Sequence, residues 1–64
     1  MFRLHVYYPG AQSPDAIHEA GRAGEVLDLI PRLLQQHPAC QRVVVFNGYT
    51  RLFAVDCQGN DLSD

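Results

Sequence analysis

Gln41–Cys57, QRVVVFNGYTRLFAVDC, is the stretch whose reading decides the fold. It predicts a β-hairpin. Val43, Val44, Val45 and Phe46 form one β-branched and aromatic run, and Leu52, Phe53, Ala54 and Val55 form the other. Asn47-Gly48 lies between them, and that dipeptide readily supplies the positive φ angles of a tight hairpin turn. Strand side chains alternate between the two sides of a sheet, so a half-buried strand should alternate apolar with polar. These strands are apolar on both sides. Val43 and Val45 oppose Val44 and Phe46, and Leu52 and Ala54 oppose Phe53 and Val55. One helix covers one face of a small sheet. The other face must meet a loop or another chain, or stand open, and a contiguous open apolar patch marks an interface.

Working outward, Gly24–His37 reads as the covering helix. Val26, Leu27, Leu29, Ile30, Leu33 and Leu34 recur at helical spacing as one broad apolar stripe. Glu25 and Asp28 lie early, where the helix dipole favours acids. Pro31 removes an internal hydrogen bond, but six buried aliphatics at roughly 1.5–3 kcal/mol each outweigh it. Pro38 ends the helix. At the N-terminus, Phe2–Tyr8 alternates cleanly, with Phe2, Leu4 and Val6 on one side and Arg3, His5 and Tyr7 on the other. Pro9-Gly10 ends that strand, and a loop follows to Pro14. Asp15–Ala20 fits a short helix capped by Ser13-Pro14, or a short strand returning beside the first; the reading leans to the strand. Gln58–Asp64 is polar, carries Gly59-Asn60, and is expected to be a flexible tail.

These elements predict a single α+β domain over residues 1–64. Its sheet would be small and mixed, of three or four strands in the order β-(β)-α-β-β, with one amphipathic helix packed on one face. The first strand and Arg42–Phe46 are expected to run parallel through a crossover.

The 64 residues leave a marginal core, so a partner chain, disulfide or metal would help stabilise it. A hydrophobic content of 47% excludes a disordered chain. The net charge of −2 gives no global attraction to nucleic acid or anionic membrane. All five basic residues are Arg, which fits a GC-rich coding sequence and a bacterial source. No apolar run reaches the roughly 20 residues of a membrane span. MFRLHVYY lacks the pattern of a signal peptide, so the expected location is the cytoplasm. There Cys40 and Cys57 are expected to be free thiols.

His37 and Cys40 are two metal-ligand types three residues apart, but zinc sites show two close pairs and the second pair is missing. His37 as a base for a Cys40 thiolate would need hydrogen-bond reach across Pro38. Gly21–Gly24 before the helix could offer N–H groups to an anion, but lacks the strand-led spacing of a dinucleotide site. Neither catalysis, metal nor cofactor is expected.

The sequence therefore points to a small non-catalytic interaction domain that self-associates, or binds another protein, through an uncovered apolar sheet face or edge. Val44, Phe46, Phe53, Val55 and Tyr7 are the candidate interface residues. The alternative is a single-stranded nucleic-acid module using Arg3, Tyr7, Arg42 and Arg51, since Arg with aromatics on an open sheet is how RNA-recognition sheets stack bases. The overall charge and the missing RNP motif weigh against it.

Overall fold

The computed structural model describes residues 1–62. The elements are β1 (Phe2–Tyr7), β2 (Ala16–Ala20), α1 (Ala23–Gln36), β3 (Arg42–Asn47), β4 (Thr50–Asp56) and β5 (Asp61–Leu62). The first five elements follow the expected order β-β-α-β-β, with Ala16–Ala20 as a strand, and β5 adds a fifth strand to the expected three or four. The sheet has five strands in the order β2-β1-β3-β4-β5.

Every neighbouring pair is antiparallel. This corrects the expected mixed sheet and the expected parallel pairing of β1 with β3. The reason lies in β2. Because β2 returns beside β1 as a hairpin, the chain leaves the sheet from β2. The crossover through α1 therefore joins β2 to β3, which run parallel but are kept apart by β1 between them.

The hairpin turn also differs by one residue. Asn47 pairs with Thr50, so the two central residues are Gly48 and Tyr49. Gly48 has φ +64° and, among the described residues, no non-glycine residue has positive φ. Positive φ at the first central position alone is the pattern of a II′ turn, which asks for glycine there. The shift is absorbed by a bulge. Phe46 pairs with Arg51 and Val45 with Phe53, leaving Leu52 as the extra residue.

Leu4, Val6, Ala20, Val26, Leu33, Cys40, Val43, Val45 and Val55 form the core between the sheet and α1. Leu29, Ile30 and Leu34 pack against it from the helix. Leu27 does not join; it is 67% exposed. Pro31 sits inside α1 without ending it, on its exposed side.

Cys40 and Cys57 are joined by a disulfide, which corrects the expectation of free thiols. Arg42–Asp56 is the last paired position at this end of the β3–β4 hairpin, and the cysteines lie just beyond it. The bond ties the end of the hairpin opposite its turn. In the stretch expected to fray, Asp56 accepts hydrogen bonds from the Gln58 and Asn60 backbone N–H groups, each 2.9 Å. The turn they stabilise brings Asp61–Leu62 alongside Ala54 and Val55. Residues 63–64 lie outside the described residues.

Candidate functional site: the uncovered sheet face

The pairing registers sort the strand side chains into rows. Leu4, Val45 and Phe53 form one row under α1, and Val6, Val43 and Val55 another. On the opposite face no helix lies. Its central row runs Ile17, His5, Val44, Ala54, Leu62. On one side of it lies the row Glu19, Arg3, Phe46, Arg51, and on the other Tyr7, Arg42, Asp56. Val44 and Ala54 lie in the middle of that row, with longer side chains on either side. Val44 and Ala54 are only 4% and 1% exposed, because taller neighbours flank them.

Those neighbours are organised. The His5 and Phe46 rings lie 4.6 Å apart between centroids, tilted by 43°. The Tyr7 ring lies 6.4 Å from that of His5. The Arg42 guanidinium stands 5.3 Å from the Tyr7 ring centroid, within cation–π range. Arg42 has no carboxylate partner among the described residues. Asp56, directly across the strand pair, is turned toward its own turn instead. The buried Arg42 Nε has no hydrogen-bond partner among the described residues. An unpaired buried donor is costly, and such groups call for an explanation. Arg3 and Glu19 pair at 3.4 Å, both half exposed, which contributes little to stability.

Two titrating groups border the face. Burial, and then the neighbouring Arg3 charge, hold His5 below its ordinary value. Donation from the Asn60 backbone, followed by Gln58 and Gly59, holds the Asp56 carboxyl below its own.

The structure therefore separates the candidate interface residues. Tyr7, Phe46 and Val44 lie on the uncovered face. Phe53 and Val55 lie on the covered one, and Val55 is part of the core. The four candidate nucleic-acid residues, Arg3, Tyr7, Arg42 and Arg51, all fall on the uncovered face. His5 and Ile17 belong to it as well. Their parity was readable along their strands, but their adjacency depends on the β1–β2 register. Leu62 had no usable signal, since Gln58–Asp64 has the composition of a loop.

The possible thiol and metal cluster is arranged otherwise. The cysteines are bonded to each other. His37 Nδ1 lies 2.8 Å from the Tyr8 hydroxyl, with the two rings edge to face. Among the described residues no three His, Cys, Asp or Glu side chains converge as metal ligands would, and no helix is long and apolar enough to cross a membrane.

A second, purely apolar concavity of about 160 Å³ lies between the first turns of α1 and the sheet. Val26 and Leu27 line one side, and Phe2, Leu52 and Phe53 the other. The bulge places Leu52 beside Phe53 there.

No protein-family model, curated protein sequence or solved structure matches this chain.

Proposed function

We propose that this protein is a small non-catalytic interaction domain that self-associates and docks another protein on its uncovered sheet face. One observation carries the reading: a sheet face without a helix, on which His5, Tyr7 and Phe46 cluster and Arg3, Arg42 and Arg51 surround them. Aromatic residues and Arg are the types enriched in interface centres and hot spots. A 64-residue chain with a small core also gains most from a partner surface.

The test is a mass measurement joined to capture. Light scattering at micromolar concentration should give about twice the chain mass of 7.2 kDa. A pull-down from the native host with wild type, and with Tyr7→Ala/Phe46→Ala as control, should retain a protein that the control loses. A monomer that binds no hydrophobic dye and captures nothing overturns the reading. The proposal includes a cytoplasmic location, which thiol labelling in fresh lysate checks. The Cys40–Cys57 disulfide of the structure is uncommon in that compartment, so a pair found bonded in fresh lysate removes the cytoplasmic placement.

A second reading is favoured by one arrangement: Arg3, Arg42 and Arg51 share the face with Tyr7, and Arg42 stacks over its ring. That could hold a single strand of nucleic acid by stacking and phosphate contact. Binding to mixed single-stranded oligonucleotides should then fall steeply with salt, and Arg3→Ala/Arg51→Ala should abolish it. No binding at low salt removes this reading.

A further inference from the structure

We infer that the self-association partner is a second copy of this chain, joined antiparallel along the free edge of β2. The inference rests on the self-association proposed above and names its surface.

The two sheet edges are treated differently. At one end, β4 carries the bulge at Leu52, and the two-residue β5 caps Ala54 and Val55. Bulges and short edge strands are devices that block edge-to-edge pairing. At the other end, β2 pairs with β1 over five residues without a bulge. Its sequence, AIHEA, contains neither Pro nor Lys. Glu19 is its one charged residue, and neither a bulge, a Pro nor a Lys protects that edge.

Charge selects the register. A two-fold axis perpendicular to the sheet must pass through Ile17, His18 or Glu19 to keep the faces aligned. Centred on Ile17, it sets Glu19 opposite the second copy's Asp15. Centred on Glu19, it sets two Glu19 side chains opposite each other. Like charges directly opposed are destabilising. Centred on His18, it sets the two His18 side chains, neutral at pH 7, opposite each other, Ile17 opposite Glu19 and Ala16 opposite Ala20, with no pair of like charges.

The helix fits the same axis. α1 lies over β1 and β2, and a groove of about 350 Å³ beside β2 is lined by Glu19 together with Glu25, Asp28, Leu29 and Arg32 of α1. Those four helix residues form one flank, acidic at its start and basic at its end. The axis sets the two helices antiparallel, so Glu25 of each copy meets Arg32 of the other, with Asp28 and Leu29 near the centre and each Asp28 one turn from the Arg32 of its own helix. A helix over β1–β2 then stands about two strand spacings, roughly 10 Å, from its symmetry mate. That is the normal packing distance of helices. The product is a continuous ten-stranded sheet whose open face is doubled.

Sedimentation equilibrium on charge variants tests this, with circular dichroism to confirm that each stays folded. Arg32→Glu and Glu25→Arg should each weaken dimerisation by about tenfold or more, since each lost contact occurs twice in the dimer. The double variant Glu25→Arg/Arg32→Glu restores opposite signs and should recover to within about threefold. Ile17→Glu sets a second carboxylate opposite each Glu19 and should dissociate the dimer through the edge itself. Singles without effect, or a double variant that does not recover, overturn the inference. If these variants remain dimeric while Phe46→Asp dissociates, the edge is wrong and the open-face reading stands. A wild type that stays monomeric also overturns the edge dimer, and the capture experiment then decides the open face alone.

Discussion

Cys40 and Cys57 show how much one residue pair contributes in so small a chain. The bond spans a sequence separation of 17, and closing a loop of that length in the unfolded chain stabilises the fold by about 3 kcal/mol. Reduction, or Cys40→Ala/Cys57→Ala, should lower the unfolding free energy by about that amount in a denaturant titration. A second residue-scale prediction concerns His5. Its folded value lies below the ordinary 6.5, so the folded state binds a proton less readily than the unfolded chain. The stability His5 contributes is then complete above pH 6.5 and is lost as pH falls through the lower folded value. His5→Gln should flatten that part of a stability-versus-pH curve. Asp56 acts with the same sign at lower pH: its contribution is present above its ordinary 3.8 and lost as pH drops through its lowered folded value.

At the scale of the element, α1 keeps its form despite Pro31 because the stripe of Val26, Leu29, Ile30, Leu33 and Leu34 holds it to the sheet. Pro31 lies on the exposed side, so Pro31→Ala restores an internal hydrogen bond without disturbing the core. Thermal melting should show a gain of about 1–3 kcal/mol. No gain would mean that the helix bends to relieve the proline. The β3–β4 hairpin shows a different balance. The dipeptide Asn47-Gly48 announces a turn, but core packing sets the register. Val43 must face Val55, and Val45 must face Phe53, to present one apolar surface to α1. The turn moves to Gly48-Tyr49 and the bulge at Leu52 absorbs the difference. A register slip of one residue would exchange every side chain between the faces.

Over the whole molecule, the two faces of the sheet divide the work, and mutation should separate them. Leu33 is 1% exposed under the sheet. Leu33→Ala should cost about 2–5 kcal/mol of stability without changing partner choice in the folded protein. Tyr7→Ala on the open face should cost about 1 kcal/mol or less and should reduce partner capture. Equal losses of stability from both would mean that the open face is part of the folding core.

Local chemistry made much of this legible. The stripe in Gly24–His37 has helical period, Phe2–Tyr7 alternates, and the valine run before Asn47 can only be a strand with two apolar sides. These readings depend on neighbours within a few residues, where period and turn chemistry act. They located the helix to within a residue at each end and placed Arg3, Tyr7, Arg42 and Phe46 correctly relative to their own strands. Pairing partners were not legible in the same way. That β1 lies between β2 and β3, that the sheet is wholly antiparallel, that Phe53 is covered while Phe46 is not, and that Cys57 reaches Cys40 all follow from contacts distant in the chain. Such contacts are chosen by the burial of the whole apolar set at once. Sequence by itself determined that Phe2–Tyr7 and the two runs flanking Asn47-Gly48 are strands, that Gly24–His37 is the helix, and that one apolar surface too many was present. Only the tertiary structure decided which surface α1 covers, because that choice is fixed by strand register, a property of pairs of strands and not of any one of them.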